Sequence, residues 1–178
     1  YSNRIAKSAS VSYGTAFGCK NLADADNSVV VGRSNFTSST SLSSVAVGVL
    51  NNQTGGSLND TTGAITGTPA VGTVGINSTA VGVGCSASAL RSSAFGFSAT
   101  ASGTDALAIG KGATATGTFS NAVGSKNVLT QISSCVFGHY NAINTGGATK
   151  AAAFGVYNGS TATYCSAFGV RNSSTASK

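Results

Sequence analysis

The chain has 178 residues, with 24 glycines, a single proline and neither methionine nor tryptophan. Ten Lys or Arg stand against four Asp and no Glu. The net charge of +6 leans toward anionic partners such as acidic polysaccharide, lipopolysaccharide or nucleic acid, and serves equally to keep a polar rod soluble. Its length suits one domain, no apolar run approaches a membrane span, and the fixed register of Val, Ile and Phe excludes plain disorder.

From the N-terminus onward, a small residue, a bulky apolar residue and a glycine recur together. The first three such glycines are Gly18, Gly32 and Gly48, the first pair 14 residues apart. After a gap, Gly82, Gly96, Gly110, Gly124 and Gly138 follow at steps of 14, and Gly155 to Gly169 repeats that step. A period this regular predicts a solenoid with one coil per repeat. The repeating segments read SVAVG, STAVG, SSAFG and SNAVG, rich in β-branched residues and glycine, so they predict strands and almost no helix. The expected fold class is an all-β parallel β-roll with 14-residue coils, a single domain over residues 1–178.

Between Gly48 and Gly82 the interval is 34, about 20 residues more than one coil. Residues 49–77 hold Pro69 and several turn signals, and read either as an inserted loop or as a degenerate coil around Ala64 and Ile65. Smaller excesses fall at 38–44 and 143–150. Insertions in a solenoid emerge as surface loops, often on a binding face.

Within each coil, the residue before the glycine is bulky: Phe17, Val31, Val47, Val81, Phe95, Ile109, Val123, Phe137, Phe154 and Phe168. The residue before that is Ala or Val, as at Ala16, Val30, Ala94 and Ala122. Neighbouring strand positions face opposite sides, so the small column and the bulky column lie on opposite faces. A 14-residue coil leaves room for two strands of about five residues and two tight turns, a narrow roll that alanine fits. Ala23, Ala87, Ala101 and Ala115, from the second half of the repeat, are expected to face the alanine column. The bulky column then lies outside, a stripe that soluble monomers avoid. Burial against identical copies around a threefold axis makes it the interface of a homotrimer. The alternative puts the bulky residues inside a monomeric roll.

Three residues after the glycine, Asn recurs at 21, 35, 51, 127, 141, 158 and 172, which predicts stacked turns and an amide ladder. Glycosylation sequons at Asn35, Asn52, Asn59, Asn77, Asn158 and Asn172 scarcely exceed what this Ser/Thr content gives by chance. The two positions just after the glycine collect Lys20, Arg33, Phe97, Lys111, Lys126, His139, Tyr140, Tyr157 and Arg171. A shared phase predicts a shared edge, a basic and partly aromatic ladder spaced roughly 4.8 Å per coil. Rings and cations of this kind suit sugar faces and anionic glycans, and a solvated corner would gather the same residues. Cys19, Cys85, Cys135 and Cys165 fall in different phases and are expected to stay unpaired, which tilts toward folding in a reducing cytoplasm, as virion parts do.

The stretch STAVGVGCSASALRSSAFGFSATASGTDALAIGKGATATGTFSNAVG, which begins at Ser78, resembles the head repeat of YadA-like trimeric autotransporter adhesins over residues 79–124, heads that phage and virus fibres also use. Residues 12–48 and 125–172 resemble it with substitutions, and 49–77 do not. The resemblance implies a left-handed roll, three chains forming a rod, and attachment to surfaces. No heptads, lipid-facing strands or signal peptide are visible, so any anchor is expected outside these residues.

The expected function is therefore a non-enzymatic, extracellular-facing attachment head on a phage or virus fibre. The head of a bacterial outer-membrane adhesin and a purely structural spacer are the alternatives. Expected partners are sister copies and a host-surface glycan or protein, with no nucleic acid and no membrane insertion by this segment. Catalysis is not expected: His139 is the sole histidine, with no acid in its phase, and a period of 14 does not fit hexapeptide acyltransferases. No cofactor or metal is expected, since Asp24 and Asp26 fall far short of a calcium shell. Ice binding would need threonines in one phase, and here they wander.

Overall fold

The computed structural model describes residues 3–5, 13–38, 40, 42–59, 62, 64–72, 74–143 and 149–175. Residues 39, 41 and 144–148, within the two smaller excesses, lie outside that set. Among the described residues every regular element is a strand. Ten long strands form one parallel sheet: Thr15–Cys19, Val29–Arg33, Val45–Val49, Thr79–Val83, Ser93–Phe97, Leu107–Ile109, Asn121–Ser125, Cys135–His139, Ala152–Val156 and Ser166–Val170. Each stacks in register on its predecessor, with Gly18 beside Gly32, Gly82 beside Gly96 and Gly138 beside Gly155. The parallel β-solenoid and its 14-residue coil are thus as predicted.

The second half of each coil is slimmer than the expected five-residue strand. It contains only two paired residues, as in Ser86–Ala87, Thr100–Ala101 and Thr114–Ala115. The rest of each coil goes into two corners, at which residues in left-handed conformation recur.

A narrow core follows. Ala46, Ala80, Ala94, Ala108, Ala122 and Ala153 are fully buried on the long strands, and Ala87, Ala101 and Ala115 face them from the short ones. Leu129 and Ile143, also fully buried, add larger side chains toward the C-terminal coils. The bulky column lies on the opposite, outer face: Phe17 is 73% exposed, Phe137 56% and Phe168 62%. The arrangement with bulky residues inside is excluded by this.

The motif glycine is demanded by the stacking. Gly124 has φ +113, and a Cβ there would lie 2.0 Å from the carbonyl oxygen of Gly138 in the next coil. Only glycine permits both that dihedral and that approach.

Residues between Gly48 and Gly82 leave the stack without interrupting it. Val45–Val49 pairs directly with Thr79–Val83. The intervening chain projects as an antiparallel hairpin, Gln53–Leu58 against Ile65–Val71. Its base closes where the Gly72 N–H donates to the Asn52 carbonyl at 3.0 Å. In sequence this segment lacks the 14-residue phase because it belongs to a different sheet.

Candidate functional site

The edge after the motif glycine comprises two adjoining columns. The first, at the end of the long strand, includes Arg33, Phe97 and His139, with Lys111 in the same phase. The second is the corner residue, left-handed in every coil, with Lys20, Lys126, Tyr140, Tyr157 and Arg171 among its members at φ 53 to 57. Gly84 and Gly112 occupy the same corner elsewhere. A non-glycine side chain in this region costs roughly 1–2 kcal/mol, so large side chains are held there by the coil geometry around them.

Lys126, Tyr140, Tyr157 and Arg171 occupy four successive corners. The Lys126 ammonium donates to the Tyr140 hydroxyl, which holds it above the usual lysine range. The rings of Tyr140 and Tyr157 stack at 5.0 Å with an interplanar angle of 7°. His139 meets Tyr140 edge-on at 4.4 Å and Tyr157 at 6.2 Å. Two coils earlier, Lys111 Nζ lies 5.8 Å from the centre of the Phe97 ring. These residues form a continuous run along one edge. Lys20 and Arg33 lie on the same edge but are set apart by the coils carrying Val49 and Val83.

The aromatic part of the edge rests on a buried amide ladder. Asn127 Oδ1 accepts the N–H of Asn141, Asn141 Oδ1 that of Asn158, and Asn158 Oδ1 that of Asn172, each at 2.9 Å. Each Asn Nδ2 bonds its own coil and the next: in Asn141 it donates to the Phe137 carbonyl at 3.0 Å and to the Gly155 carbonyl of the following coil at 2.7 Å. The amides therefore satisfy the corner's backbone groups and fix the residue preceding each of them. The same ladder runs through Asn21, Asn35 and Asn51, with Asn3 as an earlier rung. Asn35, Asn52 and Asn158 are buried, which removes their sequons as glycan acceptors.

Cys85 stands in the ladder's phase between its two halves. Its N–H donates to Asn51 Oδ1 at 2.9 Å, and its thiol donates to the Gly96 carbonyl at 3.1 Å, where an Asn would place its amide. Burial pushes this thiol up. All four cysteines are free.

A second corner was not legible in the sequence. Arg91 and Asp105 form a bidentate pair there, with Nη2 and Oδ2 2.6 Å apart, and the guanidinium holds the carboxyl below the usual carboxylate range. Lys150 Nζ lies 3.3 Å from the Tyr164 hydroxyl. Phe119 is exposed at the same phase. The shared signal is a position nine residues after the glycine, displaced to twelve for Lys150 by the excess at 143–150, and its residue types change at every rung. Among the described residues no three His, Cys, Asp or Glu gather as a metal site.

A search of curated proteins finds no match to this chain. The family model of the YadA head domain repeat matches twice, at residues 74–99 and 101–127. The matches span the coils of Gly82 to Gly124, where the register is most regular and the strands pair without insertion. Each match spans about two coils in phase with the alanine core, so residues 74–127 are similar to YadA head repeats.

Proposed function

We propose that this chain is the attachment head of a homotrimeric fibre, a left-handed roll that faces the extracellular side and binds a host-surface glycan or protein without catalysis. The observation that carries attachment is the run Lys126, Tyr140, Tyr157 and Arg171, with His139 against it. Stacked rings between cations, held on a rigid corner and repeated in three chains, suit weak multivalent contacts with sugar faces. The trimer reading is supported by the exposed outer column, in which Phe154 and Phe168 stack at 5.1 Å. We propose Phe17, Val31, Val47, Val81, Phe95, Ile109, Val123, Phe137, Phe154 and Phe168 as that interface.

Four free cysteines favour a virion fibre, because a chain crossing an oxidising compartment would usually avoid them. The YadA repeat itself favours the second reading, the head of a bacterial surface adhesin. The deciding experiment applies the purified head to a glycan array and to intact host cells, beside a variant with Tyr140→Ala and Tyr157→Ala. The proposal expects binding that falls at least tenfold in the variant. Equal binding by both proteins would remove this run as the site, and no binding by either would leave the spacer reading in its place.

A further inference from the structure

A cleft of about 220 Å³ lies where the hairpin meets the edge, lined by Leu50, Gln53, Val83, Gly84, Phe97 and Ser98. It exists for two reasons. The corner position that carries Lys126 or Tyr140 elsewhere is Gly84 here, so no side chain fills the floor. The start of the hairpin, from Gln53, supplies a wall that the other coils lack. Both polar atoms of the Gln53 amide are buried without a hydrogen-bond partner. Such an amide is costly to leave unmet, and it lines a concave site beside a partly exposed ring. Lys111, from the next coil and outside the cleft's lining, holds its Nζ over that ring, 5.8 Å from its centre.

We infer that this cleft is a sugar subsite for one carboxylate-bearing pyranose of an acidic glycan. The electropositive C–H face of the sugar stacks on the π face of Phe97. Its hydroxyls exchange hydrogen bonds with Gln53 as the hairpin adjusts, and its carboxylate meets Lys111. A neutral sugar satisfies only the first two contacts, so acid over neutral is the selectivity expected. The inference rests on the attachment reading and assigns part of its receptor to a place that the aromatic corner run does not include.

The test titrates the head with sodium glucuronate and with glucose, read by saturation-transfer NMR. The variants are Gly84→Leu, Phe97→Ala, Gln53→Ala and Lys111→Ala. Gly84→Leu is a conservative block, since Leu50 holds the same left-handed corner one coil earlier and a Cβ at Gly84 meets only the Ser98 hydroxyl at 3.7 Å. We expect glucuronate to bind at least tenfold more tightly than glucose. Gly84→Leu and Phe97→Ala should abolish this binding, Gln53→Ala should weaken both sugars, and Lys111→Ala should erase only the preference for the acid. Equal affinity for the two sugars, or glucuronate binding untouched by Gly84→Leu in a folded protein, overturns the subsite. Array binding that survives Gly84→Leu and fails in the Tyr140→Ala, Tyr157→Ala variant overturns the cleft but keeps the attachment reading. Cell binding with no glycan bound anywhere overturns the subsite and the glycan form of that reading together.

Discussion

The side-chain carbonyl of Asn52 accepts the backbone N–H of Ala87 at 3.0 Å, in place of a peptide carbonyl. On its other side the Asn52 Nδ2 reaches the Phe36 carbonyl at 3.4 Å. One side-chain amide thus bridges the gap in the narrow sheet, between Phe36–Thr37 and Ser86–Ala87, left where the chain departs into the hairpin. Replacing Asn52 by Ala orphans the buried Ala87 N–H and the half-buried Phe36 carbonyl. At about 1–3 kcal/mol each, the expected loss is about 2–4 kcal/mol in urea unfolding. Asn52→Gly, which removes the strain at φ +54, should recover only a fraction of this. A loss under about 0.5 kcal/mol for Asn52→Ala would show that the bridge carries no weight.

The amide ladder predicts a gradient. Asn141 serves the coils on both sides, so Asn141→Ala should cost about 2–4 kcal/mol and weaken the near-ultraviolet signal of the stacked Tyr140 and Tyr157. Asn172 is an exposed final rung, and Asn172→Ala should cost about 1 kcal/mol or less. Equal costs at both positions would argue against a cooperative ladder.

Two glycines with positive φ should behave differently. Gly124→Ala drives a methyl group into the Gly138 carbonyl and should prevent folding, or destabilise by more than about 4 kcal/mol. Gly84→Ala meets ordinary contacts and should cost only about 1 kcal/mol. Circular dichroism melting of the two variants makes the comparison.

Burial raises the thiols of Cys85 and Cys135, and this fixes the sign of an alkaline effect. Below the ordinary thiol value of 9.0 these two thiols are protonated in both folded and unfolded chains and contribute no pH dependence. Above it the unfolded thiols ionise first, so stability should fall with pH, by at most about 1.4 kcal/mol per unit for each cysteine. Cys85→Asn should flatten that decline and, by filling the ladder, leave neutral stability equal or higher. An unchanged alkaline slope in Cys85→Asn would place the titration elsewhere.

The outer column predicts an assembly state. Sedimentation of the head should give a trimer at micromolar concentration, and Phe137→Asp with Phe168→Asp should give a folded monomer. A wild-type monomer, with these rings in water, would remove the proposed interface.

Much of the architecture could be read from residues 79–138, because position in the coil sets the environment there, and the same environment selects the same residue type at each turn. Alanine recurs where two sheets nearly touch, and glycine where a carbonyl of the next coil intrudes. The Asn ladder was legible for the same reason. The Arg91 and Asp105 corner was not, because it faces solvent, where any polar residue suffices. Asn52 was hidden because its role comes from the absence of a strand, which no local pattern records. Leu129 and Ile143 were missed because they replace alanine in an otherwise small column. Of the edge residues, the phase alone gave the shared corner, whereas the cleft under the hairpin needed Gly84 and Gln53 to be brought together in space.

The hairpin leaves and re-enters its coil through neighbouring residues, with Gln53 opposite Val71, while the long strands on either side close over the gap. Whatever sequence lies between those two points can therefore change without altering the register of the shaft. A lineage can exchange that appendage wholesale, altering what it recognises or which antibodies see it, while the shaft keeps its length, pitch and partners.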